Sequence, residues 1–268
     1  MADSADPIGK ARAAVAERAE LPGMSLMEHL EELRKRIVHS AIYLVIGFFV
    51  AWAFHDRIVE MFQEPLIHIG KSLVFTHPMD ALNLYLQASL LAGAIMASPF
   101  ILYEVWLFIA PGLYQKEQKF VIPFMAATVG LFLSGAAFGY FWVLPAAIKI
   151  LVVDFGANFT PMVTIEDYTG FFLSVILGLG ISFEMPVLIF FLAMFGIVSP
   201  KFLWKNIRYA ILAVFIVAAI ITPSPDPWTM CIYAIPMLAL YLIGIGVAWW
   251  VHPAQEEKGR NSGLKNRP

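Results

Sequence analysis

Long apolar stretches alternate with short polar segments along most of the chain. Six stretches stand out, at residues 37–54, 81–103, 120–144, 168–198, 207–221 and 230–251. A helix needs about 20 apolar residues to cross the hydrocarbon core of a bilayer, and only the fifth stretch is clearly shorter. The pattern predicts an all-α integral membrane protein with six transmembrane helices.

The distribution of Lys and Arg predicts the orientation of these helices. Fifteen of the 18 basic residues lie in the two termini and around the segments that follow the second and fourth stretches. The other three lie in the segments after the first and third stretches. Basic residues are enriched on the cytoplasmic side of membrane proteins. Both termini are therefore expected to be cytoplasmic.

Two long segments fall on the opposite, outer side, at residues 55–80 and 145–167. They contain the amphipathic runs RIVEMFQEPLIHI and AAIKILVVDF. Such runs favour short helices that lie at the membrane interface. Prolines within or near the apolar stretches are expected to bend their helices; they are Pro99, Pro123, Pro186 and Pro236.

The composition agrees with this architecture and excludes several functions. Of the 268 residues, 60% are hydrophobic and 14% are charged, and the net charge is -2. A net charge of -2 does not suggest a basic surface that would bind nucleic acid. The single cysteine, Cys231, cannot form an intramolecular disulfide. The sequence contains neither a G-x-x-x-x-G-K-[ST] loop nor histidines at metal-ligand spacing, so we expect no cofactor and no metal.

A cluster of acidic and basic residues, MEHLEELRKR at 27–36, directly precedes the first apolar stretch. Glu31 with Lys35 and Glu32 with Arg36 are favourable pairs four residues apart on a helix. Topology alone explains the basic residues, because they collect at cytoplasmic boundaries. Acidic residues contribute little to orientation, so the carboxylates favour a second interpretation, a site for a cationic ligand such as a guanidinium.

Four motifs carry a family resemblance. They are HLEELRKR at 29–36, FIAPGLYQKE at 108–117, SFEMP at 182–186 and TPSPDP at 222–227. In this order they resemble the motifs of the TatC family, the receptor and core subunits of the twin-arginine protein translocase. The resemblance covers residues 24–252, so we expect a flexible cytoplasmic leader at 1–23 and a flexible cytoplasmic tail at 253–268 beside the membrane domain.

The resemblance implies a binding site for signal peptides with paired arginines. Two cytoplasmic glutamates take part in the family, and by motif they are Glu32 and Glu117. Arg34 matches an arginine that shapes the same site. The apolar and aromatic surroundings match Leu33, Phe108, Leu113 and Tyr114. Glu104, just after the second apolar stretch, is expected to be a boundary residue only.

The resemblance also implies function, partners and location. Such proteins are not enzymes; they organise partner subunits that export folded precursor proteins, driven by the proton motive force. The implied partners are twin-arginine signal peptides, single-span TatA- and TatB-type subunits, further copies of the chain and membrane lipid. The implied location is the prokaryotic cytoplasmic (inner) membrane.

Two further acidic residues are candidates outside this site. Glu184 lies in the middle of the fourth apolar stretch, where an ionisable group is costly and marks function by default. The resemblance includes this acid, and contact with a polar group on a partner helix is its expected role. Asp226 lies among prolines at the outer surface. A turn-forming role and a functional role are equally open for it.

Other functions stay open on the sequence alone. A small-solute or ion-coupled membrane transporter would use Glu184 as a coupling site, although no internal repeat supports this. An intramembrane protease would need a Ser–His pair or two facing acids at depth, which the sequence does not provide. A purely structural scaffold would leave Glu32 and Glu117 replaceable. Binding of a signal peptide distinguishes the translocase from these alternatives.

Overall fold

The computed structural model describes the backbone of residues 26–109, 121–222 and 226–265, and the side chains of 27–108, 123–222 and 226–251. The described part of the chain is mostly helical. In chain order the elements are α1 Leu26–Trp52, α2 His55–Ile67, β1 Leu73–Val74, α3 Asp80–Ile109, α4 Val121–Phe138, π1 Gly139–Val143, α5 Leu144–Ile148, π2 Lys149–Asp154, β2 Val163–Thr164, α6 Ile165–Ser182, α7 Met185–Met194, α8 Pro200–Lys205, α9 Ile207–Ile221 and α10 Pro227–Lys265.

The apolar character predicted for a membrane protein is confirmed. Within the described residues, five helical segments are long and apolar enough to cross a bilayer, namely Met27–Trp52, Asp80–Phe108, Pro123–Asp154, Ile165–Met194 and Pro227–Val251. The fifth predicted span is the shorter apolar helix α9, with 15 residues. Fifteen residues rise about 22 Å against roughly 30 Å of hydrocarbon, so a sixth crossing stays a prediction.

The helix of the third predicted span is longer than the sequence pattern indicated. The elements α4, π1, α5 and π2 follow one another without a break from Val121 to Asp154. The prediction of a separate interfacial helix within 145–167 is therefore wrong. Pro145 does not end the helix, because it follows π1, whose wider turn accommodates a proline ring that would disturb an α-helical turn.

The fourth predicted span is divided at Phe183 and Glu184, between α6 and α7. Pro186 lies in the first turn of α7, where its missing N–H has no intrahelical partner to lose. The predicted bend at this proline is confirmed as a break. Pro99 and Pro236, in contrast, lie inside α3 and α10 without ending them.

Helix α2 covers one end of the bundle and confirms that the segment 55–80 contains a helix. Its Val59, Phe62 and Leu66 are buried in the main core. Pro65 within α2 cannot donate to the carbonyl of Met61, and the hydroxyl of Tyr140 donates to that carbonyl instead, at 2.9 Å. The wide turn π1 thus supplies the hydrogen bond that the proline removes.

A short parallel pairing of β1 with β2 joins the segments 55–80 and 145–167. Leu73 is paired with Val163, and Val74 with Thr164. The prediction of an all-α protein did not include this pairing. Two-residue strands carry too little alternation to be recognised in a sequence, and their partners are about 90 residues apart.

Helices α1 and α3 pack closely through a pair of glycines. A Cβ at Gly47 would lie 2.5 Å from the carbonyl oxygen of Gly93, and one at Gly93 would lie 2.6 Å from the backbone nitrogen of Phe48. Only glycine permits such an approach of two helix backbones. This contact sets the position of the ends of α1 and α3.

Candidate functional site

The N-terminal end of α1 and the C-terminal end of α3 meet at one end of the bundle. The rings of His29 and Phe108 stack there, with centroids 4.5 Å apart and planes inclined by 25°. Glu32 and Leu33 follow His29 one helical turn further along α1. The stack therefore holds an aromatic ring of α3 beside the charged residues of α1.

Arg36 lies between two carboxylates at this end of the bundle. Its Nη1 is 2.9 Å from Oε2 of Glu104, and its Nη2 is 3.0 Å from Oε1 of Glu32. Nδ1 of His39 lies 3.4 Å from the other carboxylate oxygen of Glu104. Because Glu104 is only 3% exposed, its carboxylate is shielded from water, while Arg36 and Glu32 are partly exposed. The network joins α1 to α3, and charge-assisted bonds of this kind are the strong ones.

Two atoms of this network have no hydrogen-bond partner within the described residues. They are Oε2 of Glu32 and Nε of Arg36, and both are buried. A buried acceptor without a donor costs about 1–3 kcal/mol. A donor that reached Oε2 of Glu32 would recover that free energy.

The structure places four of the seven residues predicted to bind a signal peptide at this end. Glu32, Leu33 and Phe108 are half-buried and Arg34 is exposed. Of the two predicted pairs on α1, Glu32 with Arg36 is confirmed. The remaining predicted residues lie outside the described residues, in the segment 110–120 that joins α3 to α4; they are Leu113, Tyr114 and Glu117.

Glu104 and His39 are residues of this network that the sequence pattern did not reveal, and the expectation that Glu104 is a boundary residue only is wrong. The apolar stretch ends at 103, but α3 continues to Ile109. Glu104 therefore lies inside the helix and faces α1. One signal was present: Glu104 and Phe108 are four residues apart and share a helix face.

Glu184 lies at the break between α6 and α7, within the candidate span Ile165–Met194. Its side chain is half-buried. Oε1 is buried and has no hydrogen-bond partner in the described part of the chain. An acid in this position is costly unless a polar group reaches it. The expected contact with a partner helix stays a prediction.

Asp226 directly precedes α10 and caps it. Its carboxylate accepts a hydrogen bond from the backbone N–H of Thr229 at 2.8 Å, and a second one from the Thr229 hydroxyl. Pro227 follows as the first residue of the helix, a position that suits proline. The geometry supports the turn-forming interpretation of this residue.

Asp226→Ala is expected to lower the free energy of unfolding by about 1 kcal/mol, the usual cost of removing a helix cap. Asp226→Asn keeps an acceptor oxygen and is expected to stay within a few tenths of a kcal/mol of the native chain. Thermal denaturation of the purified protein in mild detergent measures both. Equal losses in the two variants would contradict capping and would indicate that the charge itself matters.

Metal ligation receives no support from the described residues. Among 27–108, 123–222 and 226–251, no group of three or more His, Cys, Asp or Glu side chains is arranged to hold a metal ion. The carboxylates of the charged cluster on α1 and α3 pair with a guanidinium, that of Arg36.

Comparisons with known proteins agree with one another. The family model TatC, Sec-independent protein translocase protein, matches residues 28–236. The chain is 49% identical over 257 residues to the Sec-independent protein translocase protein TatC of Koribacter versatilis, which covers 94% of each chain. It is 38% identical over 232 residues to the protein of the same name from Carboxydothermus hydrogenoformans, covering 87% of this chain and 96% of that one.

Solved structures give the same result at the level of the fold. A crystal structure of the twin-arginine translocase receptor TatC is similar with a TM-score of 0.75 and 36% identity, over 84% of this chain and 99% of that chain. A second crystal structure of that receptor, in DDM, gives a TM-score of 0.76 and 37% identity, over 82% of this chain and 99% of that chain.

Proposed function

The chain belongs to the TatC family of Sec-independent protein translocase proteins, and on this premise we propose that it is the subunit that binds twin-arginine signal peptides. The family consists of protein translocation components and not of enzymes. The chain is accordingly a multi-pass membrane protein of protein transport that acts in a complex with other Tat subunits.

The observation that carries this proposal is the hydrogen bonding of the Glu32 carboxylate. Its carboxylate lies half-buried at one end of the bundle, with one oxygen on Arg36 and the other without a partner among the described residues. A guanidinium is planar and donates through several N–H groups, so it matches a carboxylate better than an ammonium does. An arginine of the signal peptide would supply the missing donor.

A second carboxylate completes the proposed site. Glu117 belongs to the segment that begins directly after α3, whose end carries Phe108. Glu117 is proposed to bind the second arginine of the peptide, with Leu113 and Tyr114 beside it. Leu33 and Phe108 would contact the apolar residues that follow the paired arginines. Arg34, exposed and two residues after Glu32, would either orient that carboxylate or repel a wrongly placed cation.

The proposed arrangement in the membrane places this site at the cytoplasmic face. It has six spans, with α9 as the short fifth one, and both termini in the cytoplasm. Support comes from the distribution of Lys and Arg, 15 against three. The location would be the cytoplasmic (inner) membrane of a prokaryote, with a leader at 1–23 and a tail at 253–268.

Export is proposed to require partners and an energy source outside the chain. Single-span TatA- and TatB-type subunits, and further copies of the chain, would assemble around the membrane domain. The proton motive force would drive transport of folded precursors. Glu184, whose buried Oε1 has no hydrogen-bond partner among the described residues, is a candidate contact for a polar group of a partner helix. Asp226 is proposed only as an outer-surface candidate, since its capping role already accounts for its position.

Peptide binding tests the proposal. The full chain in nanodiscs is titrated with a fluorescently labelled twin-arginine signal peptide and with a matched twin-lysine peptide. We expect the twin-lysine peptide to bind at least about tenfold more weakly, because each ammonium loses the bidentate geometry. Equal binding of the two peptides would contradict a guanidinium site. The chain would still belong to the TatC family, but its role in binding the signal peptide would be lost.

A further inference from the structure

The proposed peptide site already contains a guanidinium, that of Arg36, which occupies one oxygen of Glu32. Arg36 donates from Nη2 to Glu32 and from Nη1 to Glu104, so each carboxylate holds one end of the same side chain. A peptide arginine that grips Glu32 through both oxygens needs Oε1, which Arg36 occupies. The ligand and Arg36 therefore compete for one carboxylate.

The charge count of the network leaves room for one more cation. The two carboxylates, Glu32 and Glu104, share the single guanidinium of Arg36. The excess negative charge coincides with the buried oxygen of Glu32 that has no partner in the described residues. Shielding from water strengthens each of these interactions. Glu32, Glu104 and Arg36 together thus carry one more negative than positive charge.

We propose that Arg36 holds the place of the peptide guanidinium on Glu32, and that Glu104 receives Arg36 when the peptide binds. This inference rests on the proposed function. Glu104 is buried and already bonds Nη1 through Oε2. Its other oxygen, 3.4 Å from Nδ1 of His39, is the acceptor that Nη2 of Arg36 would reach after the exchange. Two carboxylates then pair with two guanidinium groups, and no charge is left buried alone.

The exchange makes Glu104 a positioning residue for recognition. If Glu104 lacks its negative charge, Arg36 has only Glu32 to pair with. The peptide must then displace Arg36 from Glu32, and no other carboxylate receives the displaced guanidinium. The exchange also disfavours lysine, because an ammonium cannot donate to both oxygens of Glu32 in the planar fork that a guanidinium offers. Selectivity then depends on a residue that does not touch the peptide.

Two variants of the full chain test this exchange in nanodiscs, with the labelled twin-arginine peptide as the probe. Glu104→Gln is expected to weaken binding by about tenfold, since Arg36 now neutralises Glu32. In the double variant Glu104→Gln with Arg36→Gln, the competitor is gone and one unpaired carboxylate remains. Its binding is expected to recover to within about threefold of the native chain.

The double variant separates recognition from stability. If Glu104 served only to hold α1 against α3, removing Arg36 as well would delete the last bond of the network and weaken binding further. Native-like binding by Glu104→Gln, or no recovery in the double variant, would overturn the exchange while leaving the peptide site intact. Failure of the native chain to prefer the twin-arginine peptide would overturn the proposed function and this inference together.

Discussion

Replacing Glu32 with glutamine is expected to weaken binding of a twin-arginine signal peptide by about ten- to a hundredfold. The reason is the loss of a charge-assisted hydrogen bond to a guanidinium, which contributes about 1.5–3 kcal/mol. Glutamine keeps the length of the side chain and one acceptor oxygen but removes the negative charge. Titration of the full chain in nanodiscs with the labelled peptide measures the change.

Glu31→Gln is the matched control for this experiment. Glu31 is the neighbouring acid on α1, but it is exposed and forms no ion pair within the described residues. It changes the net charge by the same amount one position away, so binding is expected to stay within about twofold of native. Equal losses in the two variants would show general electrostatic attraction instead of a specific contact with Glu32.

Gly93→Ala is expected to destabilise the protein by about 3 kcal/mol or to prevent folding, since overpacking a close contact typically costs 1–3 kcal/mol and sometimes more. The added methyl group would lie 2.6 Å from the backbone nitrogen of Phe48 and 2.7 Å from the carbonyl carbon of Gly47. Backbone atoms cannot move aside as the end of a side chain can. Thermal denaturation in mild detergent measures the loss.

Gly130→Ala is the matched control and is expected not to destabilise the protein. Gly130 lies inside α4, and a Cβ there would meet no described atom within 4 Å. Alanine is a better helix former than glycine by about 1 kcal/mol, so this variant is expected to be as stable as the native chain or slightly more stable. A similar loss at both positions would mean that the contact between α1 and α3 does not explain the effect at Gly93.

Much of the fold could be predicted because lipid imposes a simple rule on the sequence. Every backbone polar group in the bilayer must be satisfied within the segment, so long apolar stretches become helices. The predicted stretch 207–221 and the helix Ile207–Ile221 have the same bounds. The prediction for 145–167 was wrong because the widened turn π1 lets the helix pass Pro145.

The candidate site was predictable where a motif carried it and was not predictable where packing created it. Glu32 and Phe108 belong to short motifs that can be recognised in the sequence alone. Glu104 does not, and its role depends on which face of α3 turns toward Arg36. That face depends on how α1 packs against α3, and Gly47 and Gly93, where the two backbones approach closely, stand out in no local pattern.

The sequence by itself determined that the chain is a helical membrane protein, which ends of its helices are rich in positive charge, and which family its motifs resemble. These properties are local, since hydrophobicity, charge and short motifs are read over a few tens of residues. Only the tertiary structure decided that Arg36 lies between Glu32 and Glu104, which are 72 residues apart in the chain. Such a pairing depends on how closely two helix backbones approach, and that distance is a property of both helices together.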